Sequence, residues 1–496
     1  LSRTRRPDLS GHYAISSYPD ARAVTAELDA LIKKPITRLR REALEHYLSY
    51  YFEARCGRSQ ALNQAAMGVI PGGVQHNLSF NYPFPLAMDK AEGPYLWDVD
   101  GNRYFDLLQA GGPTVLGSNP TAVREKVIEL LNHCGPVTGL FHEYEYLLAE
   151  KISGLMPAVQ KFRMLGSGNE AGIAAIRVAR LATRHKHILK MGGAYHGWSD
   201  QLCYSLRAPY SRGLMANGVP GYLFRKTGEF FPNDLNDLER QLKLNRGSGG
   251  TAAVFIEPLG PESGTRPLDF DFNKGVEALC HKYGALLVFD EVVTGFRVGL
   301  QGARGCFGVR PDLTMFGKVM GGGYPSAGGL GGKDEYMRFL GAGLTDMRVK
   351  TALVGGTLAA NPLTCVAGYQ TICEIEATDA CAKAGLVGDL LTAGLKALIA
   401  KRGLPFVAYN QGSVCHLQTT APMHFVVDWS KPWKLPSLLK ETAARKEAME
   451  ELGAALSAEG LITLAGSRFY TSAAYTPDMV PELLAYFDRA FANIEV

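Results

Sequence analysis

The chain has 496 residues, 46% of them hydrophobic and 20% charged, a globular composition that excludes a disordered or fibrous chain. Its net charge of +4, with signs mixed, gives no basis for a nucleic-acid partner, and the basic "RTRR" near the start reads as a solvated arm. No apolar stretch reaches the ~18–20 residues a membrane helix needs, and nine scattered cysteines without a CxxC pair suggest neither a zinc site nor a disulfide framework. The expectation is a cytoplasmic protein with reduced thiols, no bound metal and no membrane partner. The first twenty residues hold no apolar core of the kind a secretory signal carries.

Residues 1–60 are expected to form a helical N-terminal arm. In "ALEHYLSYYFEARC" the apolar residues Leu44, Tyr47, Leu48 and Tyr51 recur at i, i+3, i+4 and i+7, the stripe of an amphipathic helix. "IPGGVQ" is a turn, and "PYLWDVDGNRYFDLL" reads as a hairpin turning at Asp100-Gly101, so 61–120 is assigned to the N-terminal part of a small domain. Beyond about residue 120 helical stretches alternate with short apolar runs. "KFRML" ends at Gly166, "HILKM" at Gly192, "AAVFI" at Glu257, "ALLVF" at Asp290, and "LTMF" at Gly317-Lys318. Near-continuous apolar runs between helices indicate buried parallel strands, whose ligands sit outside the strand carboxyl ends. This is an α/β chain with a large domain over 121–365, its mostly parallel sheet flanked by helices. A smaller C-terminal α+β domain is expected over 366–496, after the helices "TCVAGYQTICEIE" and "KAGLVGDLLTAGLKALIA".

Three runs end in residues that carry chemistry. "MLGSGNEAGIAAIRVAR" leads from a strand through Gly166-Ser167-Gly168-Asn169 into a helix, where exposed backbone N–H groups and the positive end of the helix dipole can cradle a phosphate. Taken singly, it is an ordinary strand–turn–helix joint. A nucleotide is disfavoured: G-x-G-x-x-G fails by one position, and Gly317-Lys318 lacks the remaining Walker residues at Asp312 and Val319. Lys318 follows an apolar run that buries its base, and a desolvated lysine can form a Schiff base. Asp290, singly a helix cap or a salt-bridge partner, can in such company hold a pyridinium nitrogen protonated. Lysine, acid and phosphate cradle are the parts of a pyridoxal 5'-phosphate (PLP) site.

On these residues the chain resembles the class III (ω-amino) aminotransferases of PLP fold type I, near the glutamate-1-semialdehyde 2,1-aminomutase branch. The resemblance runs from about residue 65 to the end, through "IPGGV", "AEGPYLWDVDGNRYFD", "GSGNEA", "GGAYHGWSD", "FIEP", "LLVFDEVVTGFR", "PDLTMFGKVMGGGYP" and "GGTLAANPL". It implies that Lys318 is the Schiff-base lysine and that Asp290 pairs with the pyridine nitrogen. Val292 and Tyr195 would pack on the two ring faces, with His196 accompanying the tyrosine. Ser167, Gly168 and Asn169 would hold the phosphate, Thr357 would reach it from the neighbouring subunit of a homodimer with shared sites, and Glu257 would lie beside Asp290. The resemblance further implies ping-pong transfer of an amino group from an amine or amino acid to an oxo acceptor. An intramolecular aminomutase, a racemase and a non-catalytic PLP-binding protein are the alternatives.

The chain departs from its relatives' patterns in two places, and from the aminomutase branch alone in a third. Asn169 stands where SGTEA has Thr. "PGGVQHNLSFNYPF" lacks the Arg that holds a substrate carboxylate in relatives, with His76 near its place. Glu262 replaces the neutral residue usual in the aminomutase branch, and Arg468 is its candidate partner in a substrate gate.

Overall fold

The computed structural model describes residues 13–79, 81–135, 137, 139–341, 350–420, 424–464 and 466–495; the "RTRR" run lies outside them. The chain divides into two compact units. The first comprises Leu1–Arg22, Thr121–Cys381 and Phe425–Trp429, and the second Ala23–Pro120, Ala382–His424 and Ser430–Val496.

A seven-stranded sheet forms the middle of the first unit. Its spatial order is Lys161–Leu165, Gly328–Gly332, Leu313–Gly317, Leu286–Asp290, Thr251–Ile256, His187–Met191 and Thr227–Phe230. The last five pair in parallel, while Gly328–Gly332 runs antiparallel to both its neighbours. Every residue of Thr251–Ile256, Leu286–Asp290 and Leu313–Gly317 is buried, which is why these strands read as unbroken apolar runs rather than alternating ones. Helix Gly168–Thr183 turns Ala171, Ala174, Ala175, Val178 and Ala179 to Ile188, Phe255, Val288, Met315 and Leu330. The small side chains bring the helix close to the sheet, and each buried large apolar group contributes about 1.5–3 kcal/mol.

The strand Gly328–Gly332, "GGLGG", was not expected from its composition, since glycine weakens strands. Its glycines answer to space. A Cβ on Gly328 would lie 2.2 Å from the Ser167 carbonyl carbon, one on Gly329 2.4 Å from the Phe162 ring, and one on Gly332 2.5 Å from the Asp312 carbonyl oxygen. The strand is threaded between Lys161–Leu165 and Leu313–Gly317 where these glycine positions leave no room for a side chain.

The second unit is α+β. Tyr95–Asp98 and Arg103–Asp106 form the expected hairpin, with Gly101 at φ 88° in its turn, flanked by Met88–Glu92 and by Leu461–Ile462. Residues 23–60 are not a separate arm, because their apolar side chains complete this unit's cores. Leu39 and Tyr47 pack with Phe105, Leu391 and Phe487; Tyr51, Phe52 and Cys56 pack with Phe84 and Tyr104. The stripe read at 44–51 is helical, first as the α-helix Arg41–His46 and then as the π-helix Tyr47–Glu53. Helix Pro362–Thr378 falls in the first unit rather than opening the C-terminal domain. The reason is close contact: a Cβ on its Gly368 would sit 2.1 Å from the Met320 carbonyl oxygen.

If Gly328 is a packing requirement, Gly328→Ala should cost about 3 kcal/mol of stability, the upper end of overpacking penalties. Gly57→Ala, where nothing lies within 4 Å of the added carbon, should change the thermal midpoint little. Equal melting curves for the two variants would contradict this account.

Candidate functional site

Strand register collects the candidate residues at one edge of the sheet. Ile256 is aligned with Phe289, and Asp290 with Met315, so Glu257 and Asp290 leave adjacent strands side by side, with Lys318 three residues past Met315. Gly328 is aligned with both Gly317 and Leu165, which brings the Ser167 turn to the same edge. Lys318 itself is half-buried and adopts φ 48°, after Gly317 in extended backbone at φ −174°. For a non-glycine residue the left-handed region costs about 1–2 kcal/mol and persists only where neighbours fix it. Here the turn Lys318–Gly321 is braced by helix Pro362–Thr378, and Cβ atoms on Gly321 and Gly322 would meet Ala327 at 2.3 Å and Thr371 at 2.5 Å.

Asp290 is buried. Its Oδ1 accepts the Val292 N–H at 3.0 Å, and its Oδ2 lies 2.8 Å from Nδ1 of the fully buried His196. Burial lowers the His196 pKa, opposed by the Asp290 hydrogen bond and charge. A neutral imidazole beside a carboxylate carries its proton on Nδ1. The other ring nitrogen, Nε2, is buried with no hydrogen-bond partner among the described residues.

Glu257 spans the next gap. Its Oε1 accepts from Tyr195 N at 2.8 Å and Glu262 N at 2.7 Å, and its Oε2 from Ser263 N at 2.5 Å. Burial first, then the Asp290 charge, push its pKa up to about 7 against the pull of these N–H donors.

The turn before helix Gly168–Thr183 is capped by Ser167, with Glu170 reaching back to the residue before the cap. Ser167 Oγ accepts from Glu170 N at 3.3 Å, and Glu170 Oε2 accepts from Gly166 N at 2.8 Å. The N–H groups of Gly168 and Asn169 lie in the helix's first turn, where they have no intrahelical acceptor and can form an anion cradle. Gly168 has no room for a side chain, since a Cβ there would lie 2.8 Å from Val292 Cγ2. Val292 also meets the Gly317 position at 3.2 Å, so it lies between the cradle and the lysine strand.

Asn169 does more than stand in for Thr. Its Oδ1 accepts from both Trp198 N and Ser199 N at 2.9 Å. It also needs Gly197, at φ 102°, where a Cβ would sit 2.5 Å from that oxygen.

Lys190 is a residue the sequence reading did not place in the site. It is fully buried on strand His187–Met191, and its Nζ donates to the Ala194 and Leu202 carbonyls at 2.7 and 3.0 Å. Burial lowers its pKa to about 8. The loop 194–202, bearing Tyr195 and His196, is thus held by Lys190 at two carbonyls, by Asn169 at two amides and by Glu257 at one. Polar residues in apolar runs were the only available signal for Lys190, and its partners are backbone groups that no side-chain pattern reveals.

The other candidates are placed as follows. Tyr195 is half-exposed and Thr357 exposed, both in the first unit. Glu262, at φ 47°, lies with its Oε1 3.6 Å from Nε of Arg207. Arg468 opens the strand Arg468–Tyr470 in the second unit. His76, also in the second unit, is exposed, and its Nδ1 accepts the Leu78 N–H at 3.0 Å in a local turn.

A phosphorylated pyridine aldehyde fits this donor set. The cradle whose glycine position a Cβ would fill suits the phosphate. Buried Asp290 suits a protonated ring nitrogen, and the Lys318 amine suits the carbonyl. The unpartnered His196 Nε2 is a further polar group within the same buried cluster.

Comparison with known proteins gives the same direction. The family described as "Aminotransferase class-III" matches residues 79–422. A glutamate-1-semialdehyde 2,1-aminomutase of Legionella pneumophila (strain Paris) is 39% identical over 364 residues, covering 72% of this chain and 82% of the relative. A glutamate-1-semialdehyde 2,1-aminomutase 1 of Staphylococcus epidermidis (strain ATCC 35984) is 34% identical over 445 residues, covering 88% and 98%. Among solved structures, an omega-transaminase from Sphaerobacter thermophilus matches with a TM-score of 0.76 at 26% identity, over 89% of this chain and 99% of that one.

Two expectations follow from the loop's anchors. Asn169→Ala leaves two N–H groups without their acceptor, which should cost about 1–3 kcal/mol and speed hydrogen exchange over 195–199, whereas Asn169→Asp keeps the acceptor and the protection. For Lys190 the folded pKa of about 8 lies below the ordinary 10.5, so folding favours the neutral amine. Its contribution is full above the unfolded value and is lost as pH falls through about 8. Melting curves should show the wild type gaining on Lys190→Met as pH rises from about 7.5 to about 9.5; a constant gap would contradict it.

Proposed function

Because the chain belongs to the class III aminotransferase family, we propose that it moves an amino group from an amine or amino acid to a separate oxo acceptor. One observation carries the reading: a lysine on a strained turn and a buried carboxylate–imidazole pair stand at neighbouring strand ends beside an anion cradle. The fold is PLP fold type I, and pyridoxal 5'-phosphate is the cofactor of this family. When bound, the cofactor supplies an electrophilic carbonyl and a ring that withdraws electrons from the carbon losing its proton.

In this proposal the protein's own residues do the rest. Ser167 and the Gly168 and Asn169 amides hold the phosphate. Val292 and Tyr195 flank the ring. Asp290, oriented by His196 and Val292 N–H, holds the proton on the ring nitrogen. Lys318 Nζ would serve as general base at the donor carbon and then as general acid, holding the transferred proton between the two. Glu257 fixes the Tyr195 loop. Lys190 donates to two backbone carbonyls, and Lys333 lies 2.6 Å from Asp312.

The absence of an Arg in "PGGVQHNLSFNYPF" argues against a substrate carboxylate held there as in relatives that act on β-amino acids or on the semialdehyde. The names of the sequence relatives favour the aminomutase as the second reading. Arg468 and His76 remain in the proposal as substrate-side groups on the strength of the resemblance. So does a cytoplasmic homodimer in which Thr357 reaches the partner's phosphate. Among the described residues no helix is long and apolar enough to cross a membrane, and all nine cysteines are free thiols.

Borohydride reduction of the loaded enzyme followed by peptide mapping should place the label on Lys318; a label on Lys190 or Lys333 would sink the assignment. Lys318→Ala should slow the proton transfer by about 10²–10⁴-fold or more. An amine screen should convert the cofactor to its amino form in one half-reaction and release the oxo product, with an added oxo acid restoring the starting spectrum. Turnover of a semialdehyde with no external acceptor would favour the aminomutase. For the assembly, Lys318→Ala mixed with Thr357→Ala should regain activity through heterodimers with one intact site, and a fully active monomer in sedimentation would refute shared sites.

A further inference from the structure

Residues 13–18 fall outside the family match at 79–422, yet they pack against the stretch of chain that continues from Asp290. Tyr13 forms an antiparallel bridge with Gly299, and Ala14 N donates to the Val298 carbonyl at 2.8 Å. The Tyr13 ring occupies the space of two absent side chains. A Cβ on Gly299 would lie 2.2 Å from its Cδ1, and one on Gly305 2.2 Å from its Oη. Ala14 and Ile15 are buried, and Tyr18 meets the rings of Phe270 and Phe307 edge-on, with centroids 5.5 and 5.4 Å away. Each such aromatic pair contributes about 0.5–1.5 kcal/mol beyond its buried area.

What Tyr13 grips is the frame around Asp290. The next residue, Glu291, is fully buried. Its carboxylate accepts from Thr294 Oγ1, from Ala303 N at 3.0 Å and from Arg304 N at 2.9 Å. Gly302, at φ 65°, admits no side chain there, because a Cβ would lie 2.7 Å from Glu291 Oε1. The two N–H donors belong to helix Gly302–Phe307, which also holds Gly305. The chain thus leaves the site with Asp290 and Val292, passes Tyr13 at Val298 and Gly299, and returns to bind Glu291. From another side Cys381 Sγ donates to the carbonyl of Phe296 at 3.2 Å, where Phe296 is held at φ 58°. A buried carboxylate that loses its donors bears the full cost of having left water, so the seat of helix Gly302–Phe307 bears directly on Glu291 and its neighbour.

We propose that Tyr13 is a positioning residue for the cofactor site: its ring, wedged between Gly299 and Gly305, fixes the loop that aims Asp290 and Val292 at the cofactor. This rests on the cofactor site described above and not on the direction of amino transfer. The ring acts, not the hydroxyl, since Oη reaches only Gln301 Oε1 at 3.4 Å, beyond the usual range of an O–H···O bond. Nor does the contact titrate near neutrality. Burial first, then the Cys306 charge, push the phenol up to about 12, with Glu291 also raising it and Arg304 lowering it. Tyr13 therefore lies within electrostatic reach of the same carboxylate on which the loop closes.

The test uses the full chain and PLP. PLP affinity is measured by equilibrium dialysis, and hydrogen exchange is followed over 292–304. The visible circular dichroism per bound cofactor is recorded as well, because an achiral ring shows it only when held in a fixed orientation. Tyr13→Ala should speed exchange at Ala303 and Arg304, weaken PLP binding about 2- to 30-fold, and lower the dichroism of each bound cofactor. Tyr13→Phe should match the wild type in every respect. Tyr13→Leu, which keeps apolar bulk without the ring, should fall between the two and carries the comparison where alanine prevents folding. Leu28→Ala removes a fully buried side chain of the second unit. It should lower the melting temperature and leave PLP affinity and dichroism as in the wild type. Unchanged affinity and dichroism in Tyr13→Ala and Tyr13→Leu would overturn the proposal. So would a Tyr13→Phe protein as impaired as Tyr13→Ala, or equal losses in Leu28→Ala, which would mark a merely structural contact. A wild type that binds no PLP would contradict the cofactor site itself, and the proposal with it.

Discussion

A carboxylate buried at the end of a parallel strand must be given donors or a positive charge, because taking it out of water unaided costs several kcal/mol. Asp290 is that carboxylate. It has the Val292 N–H on one oxygen and the His196 imidazole on the other, and the next strand ends in a second buried acid, Glu257. Two acids side by side repel, which is part of why Glu257 is pushed up to about 7. A cation delivered to Asp290 would relieve that repulsion. The proposed occupant, a protonated pyridine nitrogen, is such a cation, and much of the surrounding architecture serves to aim Asp290 at it.

The aim depends on close backbone approach. The Gly328–Gly332 strand, Gly168 at the helix start and Gly197 under Asn169 all lie where a single added carbon would collide. These contacts set the cradle, the lysine strand and the Tyr195 loop at fixed separations. The loop has three side-chain anchors of opposite character: an ammonium for its carbonyls, and an amide oxygen and a carboxylate for its N–H groups. Hydrogen bonding from both sides holds a residue pair, Tyr195 and His196, that a surface loop would otherwise leave mobile.

Much of this was legible in the sequence. The buried strands announced themselves as continuous apolar runs, and their terminal residues Glu257, Asp290 and Lys318 marked the edge because strand order places carboxyl ends together. The hairpin at Asp100-Gly101 followed from its turn residues. What stayed hidden had no periodic signature. "GGLGG" looks like loop until its neighbours are known. The π-helix at Tyr47–Glu53 keeps the apolar stripe of an α-helix while changing its pitch. Residues 23–60 looked like an arm because their partners, among them Leu391 and Phe487, lie hundreds of residues away. Lys190 and Asn169 act on backbone groups, and the Glu262–Arg207 pair depends on two left-handed residues, which sequence pattern does not forecast.

The central claim is electrostatic: Asp290 keeps a positive charge on the ring nitrogen of the bound cofactor. It can be read directly by loading the protein with cofactor carrying ¹⁵N at the ring position and recording its chemical shift across the neutral and mildly alkaline range. The account predicts the shift of a protonated pyridine throughout in the wild type, moving to that of the neutral ring in Asp290→Asn. A neutral nitrogen in the wild type, or a shift indifferent to the Asp290 substitution, would contradict it.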